Sequence, residues 1–169
     1  YNNETVLISG ANVVKNWTVD NGSVYKASVA WNLGAGNNQV FVDGKMMIEA
    51  RYPNASLDMF APWTGKFVNP RGSAVTYTAD APSLPSNLAG ASINFVPGPE
   101  WVVETGKITA TSSNSFTFTS PGGQLAEPVD FNPSLYVPRP SNPYFIWGKR
   151  SLLDSAGEWF LENGQLYLW

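Results

Sequence analysis

The side chains available for chemistry in this sequence are carboxylates, Tyr, Lys and Arg, because histidine and cysteine are both absent. Without histidine, the chain lacks the usual general base, the usual catalytic triads and most types of zinc site. Without cysteine, it has neither disulfides nor a thiol nucleophile, and that absence does not decide the redox compartment. The reaction class that these residues leave open is acid–base chemistry by paired carboxylates, as in glycoside hydrolysis.

The carboxylates considered for such a pair are Glu49, Asp58, Glu100, Glu104, Asp154 and Glu158. Glycosidases place their two carboxyl groups roughly 5–10 Å apart. Glu100 and Glu104 lie in one predicted strand, which puts them on the same face about 13 Å apart. No other pair has a distinctive spacing. The sequence therefore predicts that this chain alone is not an enzyme, and it assigns no catalytic residue.

Aromatic residues are the second group of side chains that could bind a ligand. They make up 14% of the chain and include seven Trp. An aromatic face that stacks on the C–H surface of a sugar contributes about 1–2 kcal/mol, by analogy with other aromatic contacts. A loop Trp held between Pro and Gly loses little entropy on binding. The residues predicted to bind carbohydrate are Trp31, Asp58, Trp63, Arg71, Tyr144 and Trp147.

Other large aromatic residues fall inside apolar strand patterns and are predicted to lie in the core: Phe41, Trp101, Trp159, Tyr167 and Trp169. For Trp63 and Trp147, core positions remain the alternative to surface positions. Arg51 and Glu158 are interpreted as a partly buried ion pair that joins ARYPN to GEWF, with substrate contacts as the alternative.

Short alternating segments must position these residues. VYKASVAW (24–31) alternates like a half-buried strand, and Asp43-Gly44 and Asn163-Gly164 are two-residue hairpin signals. Helical periodicity is confined to a turn or two at 149–155, and long irregular loops are predicted at 53–73 and 121–143. About ten short strands in one 169-residue domain predict an all-β fold, a single antiparallel β-barrel or sandwich-like barrel.

Composition excludes several partners. A net charge of -3 without a basic run argues against nucleic acid. No apolar run approaches the roughly 20 residues that span a bilayer. Calcium prefers several clustered carboxylates, whereas those here are isolated. We therefore expect no membrane partner, no metal site and no cofactor.

Two segments carry a family resemblance: QVFVDGKMMIEARYPN (39–54) and LLDSAGEWFLENGQLYLW (152–169). Together with the middle strands around Trp101, they resemble the inserted β-barrel domain of bacterial right-handed β-helix carbohydrate-active proteins. The glycoside hydrolase family that includes α-fucosidases and xylanases has such an insert. Tyr52 stands where that pattern has Trp, and Ala156 replaces the Pro before GEW.

The resemblance implies a module cut from a larger β-helix protein that bacteria secrete. It implies partners of two kinds: a polysaccharide or oligosaccharide, of cellulose, xylan or pectin type, and the parent β-helix domain. The predicted function is a non-catalytic carbohydrate-binding module. The alternatives are a lid that completes the substrate cleft of a β-helix glycoside hydrolase or lyase, and a purely structural insert.

Overall fold

The computed structural model describes residues 9–56, 63–73, 75–81, 83–120 and 137–169. The predicted binding residue Asp58 lies outside them, as do the predicted strand TVLI (5–8) and most of the 121–143 loop. The strands are β1 (Thr18–Asn21), β2 (Val24–Ser28), β3 (Phe41–Val42), β4 (Lys45–Met46), β5 (Ile48–Glu49), β6 (Arg51–Tyr52), β7 (Gly65–Lys66), β8 (Val68–Ser73), β9 (Thr76–Asp80), β10 (Ser92–Phe95), β11 (Glu104–Thr111), β12 (Ser115–Thr119), β13 (Pro143–Trp147), β14 (Glu158–Glu162) and β15 (Gln165–Leu168).

These strands form two sheets and a small ribbon, which confirms the all-β class. A five-stranded sheet has the order β1-β2-β15-β14-β5. The larger sheet has the order β6-β13-β10-β11-β12-β9-β8, with β7 also paired to β13. Strands β3 and β4 form the ribbon. All of these pairings are antiparallel except β5 with β14. The arrangement is consistent with the predicted barrel or sandwich-like barrel.

The chain crosses from the five-stranded sheet to the larger sheet at one buried residue. Ala50 separates β5 from β6 and is 0% exposed. Its backbone N–H donates to the carbonyl of Trp159, 2.8 Å away, at the end of the β5–β14 pairing. On its other side, Arg51 and Tyr52 pair with Trp147 and Ile146 of β13. Residues 48–52 therefore form a corner that ties one sheet to the other.

Both hairpin turns form as the sequence indicates. Asp43 and Gly44 have φ values of 49° and 77°, and Asn163 and Gly164 have 50° and 72°. Both dipeptides suit such a turn, because Gly has no Cβ and Asp and Asn tolerate the left-handed region. The turn at Arg150–Leu152 is a 3₁₀ turn, in agreement with the short helical segment predicted there.

The irregular loop predicted at 53–73 is wrong in its second half, where β7 and β8 form. β8 contains Pro70 and Gly72, residues that disfavour strands, and its pairing with β9 shifts register between Val68 and Arg71. It lies at the edge of the larger sheet, where proline is tolerated because one side of the strand needs no ladder hydrogen bonds.

The larger core cluster has sixteen buried residues, most of them from the eight-stranded sheet, and seven of the sixteen are aromatic. Phe116 and Phe118 alternate with threonines in β12 and are both 0% exposed. The ring of Phe67 stacks on Phe118 at 5.7 Å and on Tyr144 at 4.7 Å between centroids. Phe160 of the five-stranded sheet belongs to the same cluster. The two sheets thus share one core.

A second cluster lies around Val40, Met47, Trp159 and Leu166. Trp159 is 3% and Tyr167 is 7% exposed, which confirms their predicted core positions.

Three aromatic residues predicted to lie in the core are exposed instead. Trp101 is 70%, Phe41 49% and Trp169 39% exposed. EWVVET (100–105) reads like a strand, but β11 begins only at Glu104, so Trp101 lies on the preceding irregular segment. Phe41 belongs to the small ribbon, and Trp169 follows the last paired residue of β15. The alternation of apolar residues is a property of neighbouring positions in the sequence. Burial also requires another layer of the protein to pack over the strand.

In the described part of the chain, no helix has the length and apolar character needed to cross a membrane.

Candidate functional site

A cleft opens beside the corner at residues 48–52, where the larger sheet meets the loop at 32–38. Its volume is about 350 Å³, within the range of small-molecule sites. The lining residues that matter chemically are Glu49, Arg51, Asn94, Phe145 and Trp147. Aromatic faces and convergent polar groups therefore occur together in one concave surface.

The aromatic part of the cleft comes from strand β13. In PYFIW, Tyr144 and Ile146 point into the core, at 2% and 0% exposure. Because side chains alternate along a strand, Phe145 and Trp147 project from the opposite face. The indole Nε1 of Trp147 donates a hydrogen bond to Asn94 Oδ1 at 2.9 Å. That bond sets the ring orientation of Trp147 before any ligand arrives.

The charged part of the cleft comes from the corner. Arg51 lies opposite Trp147 in the β6–β13 register. Its guanidinium carbon is 4.2 Å from the centroid of the Phe145 ring, and its Nε donates to the Glu49 carbonyl at 3.3 Å. Among the described residues, the two terminal nitrogens of Arg51 have no hydrogen-bond partner, and neither does the Glu49 carboxylate. These groups are available to a ligand.

Burial perturbs both charged groups. Desolvation raises the pKa of Glu49 above its usual value, although the nearby Arg51 charge opposes the rise. Desolvation lowers the pKa of Arg51, against the favourable charges of Glu49 and Glu158. The pair is thus only partly hydrated, which strengthens any hydrogen bond it makes to a ligand.

The loop at 32–38 forms one wall of the cleft and is held by its own side chains. Asn38 Oδ1 accepts from the Leu33 N–H at 2.9 Å, and Asn38 Nδ2 donates to Asn32 Oδ1 at 3.1 Å. Gly36 has a φ of 77°, and a Cβ there would lie 3.7 Å from Trp147 Cη2. The loop therefore lies close to the indole of Trp147, and hydrogen bonds within the loop fix its backbone conformation.

Glu158 does join the ARYPN and GEWF segments, but not as the ion pair expected from the sequence. Its Oε1 accepts from the backbone N–H of Arg51 at 3.3 Å. Its Oε2 accepts from the backbone N–H groups of Asp154 and Ser155, each at 3.2 Å. Desolvation raises its pKa to about 7 despite these three bonds. With both oxygens occupied, Glu158 is a structural carboxylate.

Three of the other carboxylates considered for catalysis also accept structural hydrogen bonds. Glu100 accepts from Asn142 at 3.0 Å and Glu104 from Ser120 at 2.9 Å. Asp154 accepts from Asn54 at 2.9 Å. Of the carboxylates considered, Glu49 is the one that the described cleft contains.

Among the residues predicted to bind carbohydrate, Trp147 lines the cleft. Trp63 lies next to it: its ring is 5.0 Å from that of Phe145, tilted by 52°. Trp31 is half-buried and packs against the second core cluster, so it supports the loop instead of lining the cleft. The structure thus brings Trp63 and Trp147 to one region of the larger sheet.

Tyr144 and Arg71 lie elsewhere. Tyr144 is 2% exposed, and burial raises the pKa of its phenol. A ring enclosed in the core cannot stack on a surface ligand, so Tyr144 is removed from the site. Arg71 lies on the edge strand β8, where its Nη1 is 2.7 Å from Asp80 Oδ1. Strand β8 is at the opposite end of the sheet from β13 and β6.

Sequence reasoning did not assign Glu49, Asn94 and Phe145 to binding, and it considered substrate contact for Arg51 only as the alternative to an ion pair. One signal was present: Glu49-Ala50-Arg51 and Phe145-Ile146-Trp147 each flank a small or aliphatic residue with larger functional ones. In a strand this spacing puts the two outer residues on one face, as it does for Phe145 and Trp147 in β13. Asn94 had no comparable signal, because only the pairing of β10 with β13 brings it there.

No protein-family model matches this sequence, and a search of curated proteins finds no match either. Among solved structures, one described as "Glycoside hydrolase" superposes with a TM-score of 0.55 at 16% sequence identity. The superposition covers 92% of this chain and 27% of that one. At this identity the likeness concerns the fold: nearly all of this chain has an architecture that also occurs as part of a protein described as a glycoside hydrolase.

Proposed function

We propose that this chain is a non-catalytic carbohydrate-binding module and that the cleft around Trp147 is its binding site. The observation that carries the proposal is an oriented indole beside the Glu49 carboxylate and the two terminal nitrogens of Arg51, which have no hydrogen-bond partner among the described residues. The fold shared with part of a solved glycoside hydrolase supports the association with carbohydrate.

Sugar chemistry matches this arrangement group by group. The C–H face of a pyranose stacks on an indole ring, and Trp147 offers one beside its bond to Asn94. Each sugar hydroxyl both donates and accepts hydrogen bonds. Two neighbouring hydroxyls can therefore donate to the Glu49 carboxylate and accept from the terminal nitrogens of Arg51.

The site is also organised before binding. The guanidinium of Arg51 is held over Phe145, the indole of Trp147 by Asn94, and the wall loop by Asn32 and Asn38. Groups that are already ordered lose little conformational entropy when a ligand binds. Such a cleft suits a short stretch of a polysaccharide of the cellulose, xylan or pectin type, met outside a secreting bacterial cell.

The test is affinity electrophoresis in gels cast with cellulose derivatives, xylans, β-glucans and pectins. We expect one polymer class to retard the wild-type chain and Trp147→Ala to abolish the retardation. Trp63→Ala should weaken it less, because Trp63 contacts Phe145 but is not among the described residues that line the cleft. Trp101→Ala is the matched control, since Trp101 is 70% exposed and does not line the cleft.

Retardation that survives Trp147→Ala, or that Trp101→Ala abolishes equally, would move the binding site elsewhere. A wild-type chain that no polymer retards would contradict the proposed function. Far-UV circular dichroism of each variant checks that the fold is retained.

A second candidate is a lid domain that completes the substrate cleft of a larger β-helix glycoside hydrolase or lyase. It is favoured by the fact that this chain spans only 27% of the solved structure that it resembles. A lid would bind glycans only together with its parent domain. In that case the isolated chain shows no retardation, while Trp147→Ala in the longer protein raises KM for the polymer.

A further inference from the structure

We infer that the cleft selects neutral glycans over polyuronates and that the carboxylate of Glu49 makes this selection. The inference rests on the proposed function, because it concerns the charge of a ligand in the same cleft. It adds the substrate class, and it assigns discrimination to a residue separate from the stacking Trp147.

The charges at the cleft are nearly balanced before any ligand binds. Glu49 and Arg51 are the two ionisable residues among its described lining. They lie two positions apart around the buried Ala50 and interact with each other electrostatically. The buried Glu158, whose Oε1 accepts from the Arg51 backbone, acts on the Arg51 guanidinium as well. Among the described lining residues, the single cation Arg51 thus faces the carboxylate of Glu49, and no second cation is present for an anionic ligand.

A uronate carboxylate would meet an unfavourable environment there. Its natural partner is the pair of terminal nitrogens of Arg51, and binding there places it in the same cleft as the Glu49 carboxylate. Both carboxylates would be partly desolvated, and like charges brought together at low local dielectric repel each other strongly. The hydrogen bonds gained at Arg51 have to offset that repulsion as well as the hydration lost by the uronate.

A neutral sugar avoids this repulsion and uses both residues. Its hydroxyl hydrogens satisfy Glu49, and its hydroxyl oxygens satisfy Arg51. The acceptor capacity of Glu49 is the decisive feature: a uronate carboxylate cannot donate to it, whereas every sugar hydroxyl can. Discrimination thus arises from repulsion of the wrong ligand together with attraction of the right one.

Two further cations, Lys66 and Lys107, lie on the same face of the sheet, and Lys66, opposite Pro143, does not line the cleft. Lys107 occupies the same cross-strand row as Trp147, separated from it by Ser92. Its ammonium donates to Ser92 Oγ at 2.8 Å, and neither residue lines the cleft. Lys107 therefore does not replace Arg51 as a partner for an anionic ligand in the cleft.

The experiment compares neutral and acidic polymers that share a backbone. The pairs are hydroxyethyl with carboxymethyl cellulose, arabinoxylan with glucuronoxylan, and methyl-esterified with de-esterified homogalacturonan. Binding is measured by affinity electrophoresis and by Trp fluorescence at low ionic strength. For the backbone that the wild type binds, we expect the neutral form to bind at least about tenfold more tightly than the acidic form.

Glu49→Gln is the decisive variant, because it keeps the shape of the side chain and removes its charge. We expect it to weaken binding of the neutral form and strengthen that of the acidic form, so that their ratio approaches one. Asp43→Asn is the matched control: it changes net charge equally on the exposed β3–β4 turn, outside the cleft lining. Asp43→Asn and Lys107→Gln should both leave the ratio unchanged.

Preference of the wild type for the acidic form would overturn the inference and leave the proposed function intact. A ratio that Glu49→Gln does not alter would do the same. Failure of the wild type to bind any of the six polymers would overturn the proposed function, and the inference with it.

Discussion

At the scale of single residues, the half-buried Glu49 and the buried Glu158 have different roles within one corner of the molecule. Glu49 has no hydrogen-bond partner in the described structure and faces the cleft, whereas Glu158 is bonded through both oxygens. Both lose hydration, and the pKa of each rises for that reason. Both residues are carboxylates, so their roles differ because of their side-chain hydrogen bonds. Glu49 has none among the described residues and can bind a ligand, whereas Glu158 uses its hydrogen bonds to join two segments of the chain.

Glu158 makes stability depend on pH. Its pKa rises from 4.5 in the unfolded chain to about 7 in the folded one, so between these values the folded state holds a proton that the unfolded state has released. The free energy of unfolding should therefore fall as the pH rises from 4.5 to 7, by about 2–3 kcal/mol. Urea unfolding at a series of pH values measures it.

The variant Glu158→Gln should remove most of that slope, and the remainder should come from Glu49, whose pKa is shifted in the same direction. Glu162→Gln is the control, since it removes a carboxylate from the surface ion pair with Arg150. A slope that Glu162→Gln alters as much as Glu158→Gln would contradict this assignment. The lowered pKa values of Asp20 and Asp80 act only at more acidic pH.

At the scale of elements, the cleft is built from short strands and one loop. β5 and β6 have two residues each. β5 pairs with β14 in one sheet and β6 pairs with β13 in the other, and these two pairings fix the backbone positions of Glu49 and Arg51. The wall loop has no regular structure and depends on asparagine side chains for its shape. Its backbone conformation at Gly36 is therefore a specific requirement.

Gly36→Ala tests that requirement. At a φ of 77° an L-residue is strained, so we expect a loss of about 1 kcal/mol in stability and weaker glycan binding, because the wall next to Trp147 shifts. Gly10→Ala is the control: a Cβ there meets nothing within 4 Å, and the backbone does not require glycine. Thermal unfolding and polymer retardation of both variants provide the comparison. Unchanged binding by Gly36→Ala would show that the loop does not shape the site.

At the scale of the whole molecule, the two sheets share one core. Phe160 from the five-stranded sheet packs in the cluster with Phe67, Phe95 and Phe118 from the other side. The corner at Ala50 adds a covalent and hydrogen-bonded connection between the sheets.

We therefore expect a single cooperative unfolding transition, with Trp fluorescence and far-UV circular dichroism changing together. Phe118→Ala should lower the free energy of unfolding by about 3–5 kcal/mol for both signals at once. Trp101→Ala, at an exposed aromatic residue, should change it by less than about 0.5 kcal/mol. Separate transitions for the two signals would indicate that the sheets unfold independently.

Local chemistry in the sequence was sufficient for the β class, for both hairpin turns and for the 3₁₀ turn. Alternation along a strand and the positive φ of Asp-Gly and Asn-Gly are properties of adjacent residues, so no distant contact was needed to predict them. The same local rules mark Trp147 as a surface candidate within PYFIWGKR.

The layers and the cleft were decided by tertiary structure alone. Trp101 and Tyr144 occupy similar apolar contexts in sequence, yet one is exposed and the other enclosed, because only Tyr144 has a second layer packed over it. Arg51, Asn94 and Trp147 meet because β13 pairs with β6 on one side and β10 on the other. Such pairings join distant parts of the chain through backbone hydrogen bonds, which nearly every residue type can form. The side chains of a strand therefore do not predict which other strand it pairs with.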